Sequence, residues 1–136
     1  MHLIIDGYGD NPRLMQDEKL IYDFLDQYPS QIEMHKIAPP SVRTYTGSKP
    51  EDWGVSGYVI IAESHISIHT FVERSLVNLD VFSCKEFDAR RVVKDVQEKF
   101  SLVKLRSYLI HRGLEYSDWN ASTEIAELEP LLTTAL

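Results

Sequence analysis

The sequence predicts an α+β fold, a two-layer α/β sandwich in which one antiparallel sheet carries its helices packed on one face. Three observations predict it. Several short segments have the alternating or continuous apolar character of strands, and two longer segments carry apolar residues at helical spacing. Their order is strand, helix, strands and then strands, helix, strand. This order also predicts two similar halves, each giving strands to the sheet and a helix to the same face.

The first half begins with a strand, because the apolar run from His2 to Asp6 ends in a cluster of turn-forming residues. A helix is expected next, and Pro29 lies where it should stop. The apolar residues that recur at helical spacing before this proline are Leu20, Ile21, Phe24, Leu25 and Tyr28.

Beyond this helix the pattern weakens. Residues 32–37 and 43–46 are expected to form short strands on either side of a Pro-Pro pair. Residues 48–52 are polar and include a proline, which indicates a surface loop. The apolar run 58–61 that follows predicts a buried strand.

The second half begins with two strands, because residues 65–71 and 77–82 both alternate in composition. The short connection between them predicts antiparallel neighbours. A helix is then expected from a stripe of apolar residues, namely Ala89, Val92, Val93, Val96 and Phe100.

A last strand is predicted over residues 102–109, and the chain becomes acidic after Gly113. Apolar residues return in the tail at Ile125, Leu128, Leu131 and Leu132. Their spacing predicts a helix that docks on the rest of the protein.

Length and composition indicate one domain over residues 1–136. The chain is 43% apolar, which argues against disorder. A chain of 136 residues is also long enough to bury a hydrophobic core of its own. No apolar run approaches the roughly 20 residues of a membrane span, and the first residues do not resemble a secretion signal. We therefore expect a cytoplasmic protein without membrane contact.

The net charge of −7 excludes general binding to the nucleic-acid backbone, which depends on Lys and Arg. It favours a cationic small molecule as substrate. The single cysteine, Cys84, cannot form a disulfide within the chain, so it is either a buried apolar residue or a reactive thiol.

The residues around Ser64 point to a chain that cleaves itself. A serine hydroxyl can attack the carbonyl that precedes it, here that of Glu63, and convert the amide to an ester that a base then opens by β-elimination. His65 and His69 supply imidazoles nearby, and a neutral imidazole can accept the α-proton. The residue left at position 64 is then a pyruvoyl group.

The positions of the two histidines bear on this chemistry. His65 and His69 are four residues apart, as in metal-binding helices, but the alternation of residues 65–71 opposes a helix. No metal is therefore expected. In a flat strand, Ser64 and His69 also face opposite sides, so the chain must either turn sharply at Glu63 and Ser64 or form a bulge there.

This stretch resembles the prokaryotic S-adenosylmethionine decarboxylase proenzyme family. The resemblance extends from His2 to about Arg112, and its most specific parts are Gly54-Val55-Ser56-Gly57, Glu63-Ser64-His65, Ile68-His69-Thr70 with Phe71 and Glu73, and Asp80-Val81-Phe82-Ser83-Cys84.

The resemblance implies cleavage between Glu63 and Ser64, into a β chain of residues 1–63 and an α chain of residues 64–136 that starts with a pyruvoyl group. By position, His69 is implied as the base for processing and Ser56 as an aid to the acyl shift. Cys84 is implied as the acid that returns a proton to the substrate carbon. A positioned group of this kind is what protonation on carbon requires.

The resemblance also implies substrate contacts, with Phe71 stacking on adenine and Glu73 bonding to ribose hydroxyls. The family usually has Trp at the position of Phe71, Pro at that of Val72, and a second aromatic where this chain has Pro50. Loss of one stacking ring weakens nucleoside binding by about 1 kcal/mol. Pyruvoyl-dependent decarboxylation of arginine or ornithine is therefore an alternative to that of S-adenosylmethionine.

A further alternative is an inactive paralogue that regulates an active partner; the retention of Ser64, His69 and Cys84 opposes it. The family also implies a homodimer of αβ units in which the partner chain completes each pocket. The expected ligand is thus a small molecule, and the product would be an aminopropyl donor for the synthesis of spermidine and other polyamines.

Overall fold

In the computed structural model, the described part of the chain is residues 1–112 together with the strand at residues 127–134. The strands are β1 (His2–Gly9), β2 (Ser41–Tyr45), β3 (Gly54–Ile61), β4 (Ser64–Phe71), β5 (Leu76–Phe82), β6 (Leu102–His111) and β7 (Glu127–Thr134). The helices are α1 (Pro12–Gln16), α2 (Glu18–Gln31) and α3 (Ala89–Lys99), and one turn of 3-10 helix spans Pro50–Asp52.

The strands form one sheet in the order β2-β3-β4-β5-β1-β6-β7, and every neighbouring pair is antiparallel. The prediction of an antiparallel sheet with helices on one face is confirmed. The strands and helices follow the predicted order along the chain as far as β6. The two halves are not separate within the sheet, because β1 of the first half lies between β5 and β6 of the second. Among the described residues, no helix is long and apolar enough to cross a membrane.

The helices begin at residues whose side chains cap them. Asp17 accepts a hydrogen bond from the Leu20 amide at 2.9 Å, and Asp88 accepts one from the Arg91 amide at 3.0 Å. Both aspartates satisfy an amide that has no partner within the helix. The sequence predicted α2 and α3 in the right segments, including the buried stripe of α3.

Helix α2 continues two residues beyond the predicted stop, to Gln31. Pro29 has no amide to donate one turn back, so it removes one hydrogen bond of the helix and favours the end of the helix within the next few residues. The carbonyl of Pro29 accepts from the Met34 amide at 2.8 Å, and the backbone reverses at Glu33, with φ of 60°.

The helices and one face of the sheet enclose the core, and none of the described helices packs on the other face, here called the open face. Alternate residues of each strand point to the helices and are buried, for example Val77, Leu79 and Val81 of β5. The residues between them are partly or fully exposed. For this reason β3 alternates instead of being buried throughout as predicted: Val59 is fully buried, whereas Tyr58 is 50% exposed.

Two predicted strands need correction. Residues 32–37 form no strand; only Lys36 pairs with the end of β3, as an isolated bridge. The strand predicted at residues 43–46 is β2, which begins earlier, at Ser41. The prolines between the two segments have no amide to donate, so a continuous strand cannot pass through them.

The predicted docking helix of the tail is wrong over residues 127–134, which form β7 beside β6. The prediction that β6 is the last strand is therefore also wrong. Pro130 is compatible with this position, because an edge strand with an irregular register at Ser107 and Tyr108 does not need every amide. Ile125, the first residue of the predicted helix, lies outside the described residues.

Candidate active site

The predicted cleavage point lies in the two-residue turn between β3 and β4. Ile61 pairs with Ser64, so Ala62 and Glu63 form the whole connection. Glu63 has φ of 64°, in the left-handed region that disfavours residues with a side chain. The bond between Glu63 and Ser64 therefore follows a residue whose backbone is held under strain.

Cys84 contacts both sides of this bond. Its thiol donates a hydrogen bond to the carbonyl oxygen of Glu63 at 3.3 Å, and its main-chain amide donates to Oγ of Ser64 at 3.2 Å. Cys84 is partly exposed and unpaired, so the structure favours a reactive thiol over a buried apolar residue. The contact with the carbonyl is made by the group best placed to stabilise negative charge on that oxygen.

A cavity of about 250 Å³ opens beside this turn. Ala62 and Ser83 lie in its wall, and the positive charges of Lys85 and Arg91 are opposed by three carboxylates, those of Glu33, Glu86 and Asp88. The segment before β2 closes one side, because the His35 carbonyl accepts from the Ala62 amide at 2.8 Å. Small molecules can therefore reach the vicinity of the scissile bond.

A second cluster lies near the other end of the same strands. Ser56 and His69 are directly opposite each other on β3 and β4, and Nδ1 of His69 is 2.8 Å from Oγ of Ser56. Both belong to the open face. An imidazole paired with a hydroxyl in this way is suited to proton transfer.

The structure does not bring His69 to Ser64 within one chain. Five residues separate them along β4, about 16 Å at roughly 3.3 Å per residue. The pairing of β4 with both neighbours runs without a register shift, so there is no bulge and the two side chains face opposite sides. Of the two predicted alternatives, the sharp turn at Glu63 is the one observed.

Phe71 and Glu73 line neighbouring cavities near the second cluster. Phe71 shares a cavity of about 310 Å³ with Ser56 and His69. Glu73 lies in the wall of the next one, where its Oε1 accepts a hydrogen bond from Nε1 of Trp53 at 3.3 Å. The indole thus positions the carboxylate.

Sequence reasoning missed the polar row that extends from His69 across the open face. His69 lies opposite Asn78, and Asn78 lies opposite Asp6, to which its side-chain amide donates at 2.5 Å. Sequence reasoning also missed Tyr45, which lines the cavity of Phe71. Strand register brings these residues together, and no local spacing in the sequence signals it.

At the opposite end of the open face, His2 lies between charged groups. Nε2 of His2 is 3.4 Å from Oδ1 of Asp80 but is buried and makes no hydrogen bond of good geometry. Burial lowers the pKa of His2 below its ordinary value of 6.5, and Asp80 partly opposes this shift. Arg112 lies over the ring of Phe82, 4.4 Å from its centre.

Within the described part of the chain, no three His, Cys, Asp or Glu side chains are grouped so that they could hold a metal ion. A strained residue, a hydroxyl and a hydrogen-bonded thiol lie together at this turn, and self-cleavage can use all three.

The chain is similar to known proteins over most of its length. The family model described as S-adenosylmethionine decarboxylase matches residues 1–113. The chain is 34% identical over 113 residues to an S-adenosylmethionine decarboxylase proenzyme of Archaeoglobus fulgidus, covering 82% of this chain and 96% of the relative. It is 32% identical over 118 residues to the proenzyme of Pyrococcus furiosus, covering 86% and 81%.

A solved structure, the adenosylmethionine decarboxylase of Aquifex aeolicus, has a TM-score of 0.61 and 26% identity, covering 78% of this chain and 83% of the other. The chain belongs to the S-adenosylmethionine decarboxylase family. The relatives from Archaeoglobus and Pyrococcus are both named as proenzymes.

Proposed function

We propose that the protein is a self-processing, pyruvoyl-dependent S-adenosylmethionine decarboxylase. The observation that carries the proposal is the placement of Cys84, whose thiol and amide contact the two sides of the Glu63–Ser64 bond. Cleavage at this bond gives a β chain of residues 1–63 and an α chain of residues 64–136. Family membership supports the decarboxylase activity.

Cleavage proceeds in two stages. The Ser64 hydroxyl attacks the carbonyl carbon of Glu63, and its proton passes to the departing amide nitrogen, which converts the amide to an ester. The Cys84 thiol donates to the carbonyl oxygen as negative charge develops on it. Backbone strain at Glu63 favours this stage, because breaking the amide bond allows Glu63 to leave its left-handed conformation.

In the second stage, a base removes the α-proton of Ser64, and the bond between its Cβ and the ester oxygen breaks. Glu63 departs as a carboxylate, and residue 64 takes up water and loses ammonia to become the pyruvoyl group. We assign the base to His69, whose ring is positioned by Ser56. A pyruvoyl carbonyl supplies the electron-withdrawing group that decarboxylation of an α-amino acid needs.

His69 can serve Ser64 only if it comes from a second copy, because the two are about 16 Å apart along one strand and on opposite faces. We therefore propose a homodimer in which the open face of each chain brings its Ser56 and His69 to the β3–β4 turn of the partner, at the strand end where Ser64 and Cys84 lie. The exposed side chains of the open face, which include Tyr58 at 50% and Ile60 at 39%, provide apolar area for such a contact.

In the turnover reaction, the Cys84 thiol is the proton donor to the substrate carbon, since it already lies within hydrogen-bond distance of the residue that precedes Ser64. Phe71 offers a ring face to adenine, and Glu73, held by Trp53, accepts from ribose hydroxyls. The net charge of −7 suits a sulfonium cation. Use of a free thiol suits a reducing compartment, so we assign the enzyme to the cytoplasm.

The matching proteins are named for S-adenosylmethionine and not for arginine or ornithine, so they support the first substrate. The inactive paralogue has no support among them either. Their names do not bear on Ser64, His69 or Cys84 individually, and the roles of these residues rest on the contacts that their side chains make.

The deciding experiment is the denatured intact mass of freshly purified protein, followed by release of carbon dioxide from S-adenosylmethionine, arginine and ornithine. We expect two fragments divided before residue 64, the second lighter by one ammonia than a chain that starts with serine. We also expect turnover of S-adenosylmethionine alone. An uncut chain without turnover would refute the proposal, whereas cleavage with turnover of arginine or ornithine would refute only the substrate.

A further inference from the structure

The cavity that contains Phe71 has a second aromatic wall, supplied by Tyr45 of β2. Tyr45 lies directly opposite Gly54 of β3. Gly54 in turn stands two residues before Ser56, and Phe71 two residues after its partner His69, so Gly54 and Phe71 share one row of the sheet. Tyr45, Gly54 and Phe71 therefore follow one another across three adjacent strands.

The spacing of this row suits a planar ligand. Two strand spacings place the backbones of Tyr45 and Phe71 about 10 Å apart. A flat ring in contact with an aromatic side chain on each side needs about 7 to 8 Å between those side chains. Gly54 contributes no side chain to the space between them, and it cannot gain one, because a Cβ there would lie 1.7 Å from the Thr70 carbonyl oxygen.

The side chain of Tyr45 is 59% exposed, and one side of its ring is close to Gly47. Its ring lies against the backbone of Gly47: a Cβ at Gly47 would be 3.1 Å from both Cε1 and the hydroxyl oxygen of the tyrosine. Asp52 lines the same cavity. A large exposed aromatic ring with a neighbour on one side and free space on the other offers a stacking surface for a ligand.

The polar groups of the cavity can bond the edge of a flat heterocycle. Ser56 and His69 offer a hydroxyl and an imidazole at one side, and the Asp52 carboxylate lies in the wall. The cavity of about 310 Å³ is at the lower limit of small-molecule sites, which fits one heterocycle better than a whole cofactor. A purine between two rings, with polar groups at its edge, meets these conditions.

We propose that Tyr45 is a specificity-determining residue that stacks on the adenine of the substrate, opposite Phe71. This inference rests on the proposed function. Pro50, the position at which the sequence resemblance placed the missing aromatic, is in the 3-10 turn, outside the row of Tyr45 and Phe71. Tyr45, which lies on β2, supplies the second stacking ring instead, so the cavity still has an aromatic side chain on two sides.

The test compares Tyr45→Leu and Tyr45→Phe with Tyr22→Leu. Tyr22 is a matched control because it is a partly exposed tyrosine, 38%, on α2 in the helix layer. Leucine keeps apolar bulk and removes the ring, whereas phenylalanine keeps the ring. For each cleaved protein, fragment masses, kcat and KM for S-adenosylmethionine, and the Kd of adenosine by calorimetry are measured.

We expect Tyr45→Leu to cleave fully and to raise both KM and the adenosine Kd about tenfold, with kcat within about twofold of the parent. Tyr45→Phe and Tyr22→Leu should match the parent. Unchanged KM and Kd in a fully active Tyr45→Leu protein overturn the inference and leave the proposed function intact. Failure of the parent protein to bind adenosine overturns the inference, and absence of parental cleavage or turnover refutes the proposed function separately.

Discussion

The thiol of Cys84 lies 3.3 Å from the carbonyl oxygen of Glu63, across the turn that joins β3 and β4. The two residues are 21 positions apart in the sequence. Cys84 follows β5, and the pairing of β5 with β4 brings Cys84 next to the turn. The contact links both proposed roles of Cys84. As a donor it stabilises charge during cleavage, and as an acid beside residue 64 it protonates the substrate.

The two roles can be separated by substitution. In Cys84→Ala the donor is lost, and we expect cleavage to slow about tenfold, less than for loss of a stronger oxyanion donor. In Cys84→Ser a donor remains, so cleavage should stay within about threefold of the parent, but a hydroxyl is a much weaker acid than a thiol and decarboxylation should fall at least about a hundredfold. Time courses of intact mass and carbon dioxide release measure the two rates.

Glu63 allows a test of backbone strain. Glycine adopts positive φ without the penalty that a side chain causes, so Glu63→Gly should stabilise the uncut chain by up to about 1 kcal/mol and slow cleavage about fivefold. Stability is measured by chemical denaturation of chains that also carry Ser64→Ala, which stay uncut.

Glu33→Gly is the control, because Glu33 has nearly the same φ, 60°, and does not flank the scissile bond. It should raise stability by a similar amount and leave the cleavage rate unchanged. Equal cleavage rates for Glu63→Gly and the parent would mean that the strain at this turn does not assist the reaction.

The sequence predicted those parts of the fold that depend on local periodicity. The alternation around residues 65–71 and 77–82 identified β4 and β5, since one face of each strand is covered by helices and the other is open. The buried stripe of α3 was identified by the same reasoning at helical spacing. The resemblance implied that Glu63, Ser64 and Cys84 belong to one site, and in the structure Cys84 hydrogen-bonds to both of the others.

Long-range pairing could not be predicted in this way. Asp6 meets Asn78 and Tyr45 meets Gly54 only because of strand register, which depends on contacts between distant segments. The tail shows a second kind of error, in which a local pattern predicted the wrong secondary structure. Leu128, Leu131 and Leu132 have helical spacing, but this segment pairs with β6 as an edge strand, because tertiary contact overrides a short local pattern.

His2 should make stability depend on pH. Its pKa in the folded protein is below the ordinary value of 6.5, mainly because burial disfavours the charged ring. The folded state therefore binds a proton less readily than the unfolded chain. The stabilising contribution is complete above 6.5 and is lost as the pH falls through the lowered pKa.

On the Ser64→Ala background, the free energy of unfolding should decrease between about pH 7 and about pH 5, and the added change His2→Asn should make this decrease smaller. Denaturant unfolding at both pH values measures the difference. Asp80, Arg112 and His65 also act on His2, but they are present in both chains and largely cancel. An identical decrease in the two chains would exclude His2 as its source.

The proposed sharing of sites between two chains predicts complementation in trans. A Ser64→Ala chain cannot cleave itself but carries an intact Ser56 and His69, which hydrogen-bond each other at 2.8 Å. A His69→Ala chain carries the intact Ser64 and Cys84. Each chain alone should remain uncut, because neither homodimer contains a complete site.

When the two variants are expressed together, heterodimers should contain one complete site, formed by Ser64 of the His69→Ala chain and His69 of the Ser64→Ala chain. With random pairing, about half of the dimers are heterodimers, so intact mass should show cleavage of up to about half of the His69→Ala chain and none of the Ser64→Ala chain. If His69 acted within its own chain, co-expression would rescue nothing. Because β4 holds Ser64 and His69 at opposite ends and on opposite faces, we expect rescue.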